Sequence, residues 1–262
     1  MTQPRSGSAT GLPNPFLVEL TPPDITPYAA GTGAIPYIWT FDSGQPGPHV
    51  AITAIVHGNE PCGSLALDWI MRRETRPNRG KLSLAFMNVA AHEAFDPDVP
   101  DASRWIDEDF NRLWSPATLD DPDRKLTEEL RRAREVRPWL DTVDLLLDIH
   151  SMQNKANALT IAGLRPKGRD LARSVGYPDL VINDHGHAEG MRMRDYGGFS
   201  DPASPSNAML VEAGQHWEAP AEGVAIETAI RFLRATGSVA ADFAEDWLAD
   251  RPAPEPMQFF QV

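Results

Sequence analysis

The sequence has one cysteine and no long apolar segment. Because Cys62 is the single cysteine, an internal disulfide is excluded, and this favours a reducing compartment, so we expect a cytoplasmic protein. No apolar run approaches the roughly 18 residues of a membrane helix, and the opening residues Met1 to Arg5 lack the hydrophobic stretch of a signal peptide. We therefore expect no membrane association.

Basic residues are scarce relative to acidic ones. The chain has 24 Lys and Arg against 37 Asp and Glu, which gives a formal net charge of −13. Nucleic-acid surfaces depend on clustered Lys and Arg, and no such cluster is present, so we expect no nucleic-acid partner. An anionic substrate would have to be attracted by a few local arginines against the overall negative field.

The length suits one large catalytic domain. A chain of 262 residues with 42% hydrophobic residues can bury one substantial core, and it contains no internal repeat. We place this domain at residues 15–250. Residues 1–14 are rich in Ser, Gly and Pro and are predicted to be mobile, whereas residues 251–262 form a Pro-rich tail that ends in a short strand.

The order of apolar patterns predicts an α/β fold. Two β-prone runs, 37–41 and 49–56, flank a turn-rich join and suggest an antiparallel hairpin. Further strands are predicted at 81–87, 144–149 and 207–211, and helices at 64–71, 127–140, 221–236 and 239–249. This alternation predicts a three-layer αβα architecture, with a mixed central sheet and helices on both faces.

Two imidazoles and a carboxylate follow apolar runs. The segment His57-Gly58-Asn59-Glu60 comes directly after the run 51–56, and His150 ends the run 144–149. Each segment alone is more often structural, but together the two predicted strands would bring three metal-binding side chains to one edge. A catalytic zinc takes about three ligands of these types and leaves a position for water. We predict that His57, Glu60 and His150 bind one zinc ion per chain.

Other polar residues accompany this predicted edge. Glu212 follows the run 207–211, and ligands of open α/β sheets gather at the carboxyl ends of strands. Glu212 is therefore a candidate general base, with an exposed loop carboxylate as the alternative. Arg104, Asn111 and Arg112 lie in a loop rich in acids, where the arginines could stabilise an oxyanion or form surface salt bridges.

In chain order, the motifs HGNE, RWIDEDFNR, DIH and VEAG resemble those of the aspartoacylase and succinylglutamate desuccinylase family. That family belongs to the wider group of zinc carboxypeptidase-like hydrolases, and the resemblance spans roughly Asp24 to Leu233. It implies that His57, Glu60 and His150 hold zinc and that Glu212 is the base. It also implies that Arg104 polarises the scissile carbonyl, while Asn111 and Arg112 bind a substrate carboxylate.

Two departures from the family pattern bear on specificity and on the end of the chain. Aspartoacylases carry an arginine shortly before the catalytic glutamate, whereas residues 201–207 contain no basic residue. Arg192 and Arg194 are the nearest substitutes, with a solvated loop as the alternative reading. Relatives also continue into a β-rich C-terminal domain, which we expect to be largely absent here, and the terminal strand 257–262 is expected to pair with the sheet edge or with another chain.

The resemblance and the site residues predict a zinc-dependent hydrolase that cleaves the amide bond of a small-molecule N-acyl amino acid. Two alternatives remain, a zinc carboxypeptidase acting on short peptides and a non-catalytic relative that binds a metabolite. The acyl group and the amino acid are not determined by the motifs, because loops supply the contacts that select them. A homo-oligomer is compatible with the apolar tail.

Overall fold

A computed structural model describes residues 16–262, so the predicted mobility of residues 1–14 lies outside the described residues. In this range one sheet is formed by eight strands: β1 (Ile38–Asp42), β2 (His49–Ala54), β3 (Lys81–Phe86), β4 (Leu145–Met152), β5 (Leu159–Ile161), β6 (Leu180–Asn183), β7 (Asn207–Gln215) and β8 (Gln258–Gln261). The α-helices are α1 (Pro61–Arg72), α2 (Val89–Glu93), α3 (Pro116–Leu119), α4 (Glu128–Leu140), α5 (Pro166–Val175), α6 (Pro220–Ala235) and α7 (Glu245–Ala249). Over residues 16–262, none of the helices has the length and apolarity to span a membrane.

The sheet is mixed, as predicted. Its strand order is β1-β3-β2-β4-β7-β5-β6-β8. The central strands β3, β2, β4 and β7 run parallel, while β1 and β5 are antiparallel to their neighbours β3 and β7. Strand β2 is buried along its whole length because both faces of the central sheet are covered.

Helices cover the two faces of the sheet, which confirms the three-layer αβα prediction. Helices α1 and α6 pack on one face through Leu67, Ile70 and Ile230. Helix α4 packs on the other face, where its apolar stripe meets Ala51 and Leu146. The side chain of Thr127 accepts a hydrogen bond from the N–H of Leu130 at 3.1 Å, which fixes the start of α4.

The predicted hairpin between the first two strands is wrong. Strands β1 and β2 both pair with β3, on opposite sides of it. The join between them passes beneath the start of β3, where Ser43 N–H donates to the Gly80 carbonyl at 3.0 Å and Gly80 N–H donates to the Gln45 carbonyl at 2.8 Å. Gly80 is needed there, since its φ is +59° and a Cβ would lie 2.1 Å from the Pro48 carbonyl oxygen.

The terminal strand pairs with the sheet edge, one of the two outcomes expected for it. Strand β8 runs parallel to β6, with Phe259 opposite Val181. The Phe259 ring packs beneath α5, where the guanidinium carbon of Arg173 lies 4.9 Å from its centroid. Homo-oligomer formation stays a prediction.

Candidate active site

The loop between β2 and α1 is held in a fixed shape by close backbone contacts. Gly58 N–H donates to the Arg104 carbonyl at 3.1 Å, and a Cβ on Gly58 would lie 2.4 Å from the Ser103 carbonyl oxygen. Only glycine fits this approach. Helix α1 then begins at Pro61, a favoured first helical residue, directly after Glu60. The loop between β2 and α1 is therefore fixed in its middle by Gly58 and at its ends by the strand and the helix.

The structure brings His57, Glu60 and His150 together. Their ligand atoms lie within 4.8 Å of one another, and all three residues are buried. His57 Nδ1 lies 2.8 Å from Glu60 Oε1, and His150 Nδ1 lies 2.9 Å from Glu60 Oε2. Both imidazoles thus turn the same ring nitrogen toward the shared carboxylate.

The opposite ring nitrogens face two further carboxylates. His57 Nε2 lies 2.9 Å from Asp109 Oδ1, and His150 Nε2 lies 3.0 Å from Asp148 Oδ2. A carboxylate that accepts the Nε2–H of an imidazole leaves the Nδ1 lone pair free for a metal. These two acids were not singled out in the sequence. Asp148 could have been, because residues two apart in a strand share a face.

The donor set fits zinc. Two imidazoles and one carboxylate are ligands that zinc accepts, and the outer carboxylates orient the two rings. Burial alone would raise the pKa of Glu60, but His57 and His150 outweigh it and hold the pKa of this carboxyl well below its usual range. Glu60 is therefore ionised and ready to bind a cation.

Glu212 lies beside this cluster, within β7 rather than at its end. Its Cα is opposite that of His150, so both side chains project from the same face of the sheet. The Oε2 atom of Glu212 is buried and has no hydrogen-bond partner among residues 16–262. Burial raises the pKa of Glu212 to about 8, although nearby His150 acts in the opposite direction. This carboxyl can take up or release a proton near neutral pH.

The loop 104–112 contributes three polar side chains. The Arg104 guanidinium lies 3.4 Å from Glu60 Oε1 and 3.1 Å from His57 Nε2. Asn111 Oδ1 accepts the Met193 N–H at 2.8 Å, while its Nδ2 lies 3.5 Å from His150 Nε2. Arg112 Nε is buried without a hydrogen-bond partner among the described residues. Nδ2 of Asn111 and Nε of Arg112 are thus available donors at the edge of the cluster.

Arg192 and Arg194 are both buried in ion pairs. Arg192 donates to both oxygens of Asp184 at 2.7 Å and, through Nε, to Asp195 at 2.7 Å. Arg194 also pairs with Asp195, and its Nη2 donates to the carbonyls of Ala162 and Ala208 at 3.0 and 2.7 Å. A contact between either guanidinium and substrate stays a prediction.

The segment after Glu212 connects β7 to the segments that carry the three candidate donors. Trp217 Nε1–H donates to the Asn59 carbonyl at 3.0 Å. His216 Nδ1 lies 2.8 Å from Ser151 Oγ, and the Ser151 N–H donates to Glu60 Oε2 at 3.3 Å. The end of β7 therefore supports both segments that carry the three donors.

Fold and site together define an α/β domain with a candidate three-donor metal centre at the carboxyl ends of parallel strands. Residues 46–204 match the sequence profile described as the succinylglutamate desuccinylase/aspartoacylase catalytic domain. The chain belongs to the succinylglutamate desuccinylase/aspartoacylase family. The family predicted from the motifs is thereby confirmed.

Known relatives resemble this chain over part of their length. It is 34% identical over 131 residues to the N-acyl-aromatic-L-amino acid amidohydrolase (carboxylate-forming) of Rattus norvegicus, an alignment covering 46% of this chain and 38% of the rat protein. Among solved structures, a succinylglutamate desuccinylase/aspartoacylase family protein from Shewanella amazonensis SB2B has a TM-score of 0.65 at 17% identity, covering 86% of this chain and 72% of that one.

The product-bound ectoine utilization protein EutE (DoeB) from Ruegeria pomeroyi has a TM-score of 0.56 at 15% identity and covers 83% of this chain. This chain spans 62% of the EutE chain and 38% of the rat protein, less than two-thirds of either. At such low identities the two structural likenesses show the fold.

Proposed function

We propose that the protein is a zinc-dependent hydrolase that cleaves the amide bond of an N-acyl amino acid. The observation that carries this proposal is the convergence of His57 Nδ1, His150 Nδ1 and Glu60, with both Nε2 atoms turned to carboxylates. Family membership supports the reaction class. His57, Glu60 and His150 would hold the ion, which, when bound, polarises a carbonyl and acidifies water.

Glu212 is proposed as the proton carrier. Its unpaired Oε2 and a pKa of about 8 suit a group that accepts a proton from the attacking water and then gives it to the leaving amine. Arg104 is proposed to stabilise the negative charge that develops on the carbonyl oxygen, because its guanidinium already lies within 3.4 Å of Glu60.

The amino-acid half of the substrate is proposed to bind at the loop 104–112. Asn111 Nδ2 lies 3.5 Å from His150 Nε2 and has no carbonyl or carboxylate partner among the described residues. Arg112 Nη2 lies 3.8 Å from Asp109 Oδ2, and the Nε of Arg112 has only the exposed Glu189 carboxylate near it, at 4.0 Å. Together Asn111 and Arg112 could bind an α-carboxylate and hold the amide close to Glu212. Arg192 and Arg194, already paired with acids, would act on substrate only by exchanging those partners.

The test is release of free amine by zinc-loaded protein from N-acetyl, N-succinyl and N-formyl amino acids, with short peptides in parallel. We expect turnover of acyl amino acids that exceeds peptide cleavage. Faster cleavage of peptides would instead identify a carboxypeptidase. Stoichiometric zinc with no turnover of either substrate class would contradict the enzymatic proposal and favour a binding protein.

A further inference from the structure

One face of the sheet carries apolar side chains of β5 and β6 beside Glu212 and ends at β8 in the exposed residues Gln258 and Phe260. Glu212 of β7 lies opposite Leu159 of β5, which lies opposite Leu180 of β6. Residues opposite each other in neighbouring strands project from the same face. The next row on that face consists of Leu210, Ile161, Ile182 and Phe260. The apolar platform is defined here as Leu159, Ile161, Leu180, Ile182 and Phe260.

The platform is open, whereas the other face of the same strands is covered. Thr160 and Val181 are fully buried, and α5 packs over Val181 through Ala172. The four platform residues of β5 and β6 keep partial exposure, and Phe260 is 48% exposed. An open apolar area that continues from a catalytic cleft is typical of a ligand-binding surface.

Paired charges border the platform at its end nearest the start of β7. The Arg194 guanidinium donates to the carbonyls of Ala162 and Ala208, beside Ile161 and the start of β7, and a Cβ on Gly163 would lie 1.9 Å from its Nη1. Arg194 and Arg192 are both neutralised by Asp195, and Arg192 also by Asp184. No platform residue carries a charge, and the arginines beside it already have carboxylate partners.

From this arrangement we infer that the platform binds a long apolar side chain on the amino-acid half of the substrate, an inference that rests on the proposed function. Asn111, which would hold the α-carboxylate, lies 3.5 Å from the ring of His150, and His150 lies opposite Glu212. The amino-acid half is then placed between Asn111 and Glu212, next to Leu159. From there its side chain extends over Leu180, about 10 Å from β7, since neighbouring strands are about 4.8 Å apart.

The same surface disfavours an acidic side chain. The carboxylate of an aspartate or glutamate side chain would leave water for an apolar area whose neighbouring arginines, Arg192 and Arg194, are already paired with carboxylates. An apolar side chain instead gains affinity with each methylene removed from water, and a half-buried methylene adds about twofold to kcat/KM. The platform therefore selects amino acids by the length of their apolar side chain.

The experiment measures kcat/KM of the zinc-loaded full chain for N-acetyl derivatives of alanine, norvaline, norleucine, 2-aminooctanoate and aspartate. We expect about a 30-fold rise from alanine to 2-aminooctanoate, which follows from about twofold for each methylene, and the lowest value for aspartate. Equal values along the apolar series, or aspartate as the preferred substrate, would overturn the inference. So would a length dependence that appears only when the acyl group is lengthened.

Substitution tests the surface itself. In the double variant Leu180→Thr with Ile182→Thr, the ratio of 2-aminooctanoate to alanine derivatives is expected to fall about tenfold, because two of the apolar contacts are removed. The matched control is Leu126→Thr, which removes a 58% exposed leucine just before α4, a helix that packs on β2 and β4, and its ratio is expected to be unchanged. A retained ratio in a natively folded double variant would overturn the inference. A changed mass in light scattering with a retained ratio would identify a contact between copies instead.

Binding separates this inference from the proposed function. Calorimetry with the Glu212→Gln variant measures affinity for the same N-acetyl compounds without turnover. If no compound is hydrolysed by the wild type but affinity rises with side-chain length, the inferred binding role of the platform is supported and the hydrolase proposal is contradicted. If N-acetylalanine is hydrolysed but neither affinity nor kcat/KM depends on side-chain length, the inferred binding role of the platform is contradicted and the hydrolase proposal is supported.

Discussion

His150 Nε2 and Asp148 Oδ2 lie 3.0 Å apart on one face of β4. The other oxygen of Asp148 accepts a hydrogen bond from Thr53 Oγ1 at 2.7 Å, so the carboxylate is fixed from both sides. This arrangement holds the imidazole with Nδ1 directed at Glu60. The orientation of the His150 ring is thus set by two buried residues that are not themselves among the three candidate donors.

Asp148→Ala is expected to weaken zinc binding by about 10- to 100-fold, because the His150 ring loses the acceptor that fixes its tautomer and orientation. Competition with a chelator measures the change. Thr53→Val is a milder variant for comparison, since it removes only the hydrogen bond to Asp148. Its loss of zinc affinity is expected to be smaller than that of Asp148→Ala. Equal zinc affinity in Asp148→Ala and wild type would contradict this role.

Glu212→Gln is expected to lower kcat by about 10²- to 10⁴-fold while zinc stays bound, because the amide cannot carry the proton but keeps the shape of the side chain. Amine release and elemental analysis on the same sample provide the two readouts. Glu222→Gln, a change of the same kind on α6, is the control. A fully active Glu212→Gln protein would remove this residue from the mechanism.

Trp217→Phe is expected to lower the free energy of unfolding by about 1 to 3 kcal/mol, because the buried Asn59 carbonyl loses its indole donor. Denaturant unfolding measures the loss. Trp114 is equally buried, but its Nε1 has no hydrogen-bond partner within residues 16–262. Trp114→Phe is therefore the matched control and should cost much less in hydrogen bonding. Equal losses in the two variants would show that ring volume, not the hydrogen bond, decides.

Acidification is expected to destabilise the fold through His92. Burial lowers the pKa of His92 below 6.5, so the folded protein keeps the ring neutral while the unfolded chain takes up a proton as the pH falls through 6.5. As the pH falls, the free energy of unfolding of the wild type should then decrease more than that of His92→Gln, by at most about 1.4 kcal/mol for each unit of pH. Urea unfolding of both proteins at pH 7.5 and 5.0 measures this. A difference between them that does not vary with pH would contradict the assignment.

Much of the fold could be predicted because the informative patterns are local. The apolar runs around β2, β4 and β7 gave strands, and the spaced residues Leu130, Ala133 and Val136 gave the buried stripe of α4. The pairing of β1 could not be read in this way. A turn-rich join is compatible with a hairpin, and the contact of that join with Gly80 decides otherwise.

The candidate site likewise combines residues that local patterns predicted with residues that only tertiary packing brings together. His57, Glu60 and His150 come directly after apolar runs, so their convergence followed from the ends of neighbouring strands. Asp109 reaches His57 from a loop distant in sequence, and Trp217 reaches Asn59 in the same way. Such contacts depend on tertiary packing and leave no periodic signal in the chain.

The central claim is that His57, Glu60 and His150 bind one zinc ion together, and elemental analysis of purified protein tests it most directly. The account predicts one zinc per chain in the wild type and in the control His185→Ala, and loss of zinc in His57→Ala and in His150→Ala. Stoichiometric zinc in either of the last two variants would contradict the account.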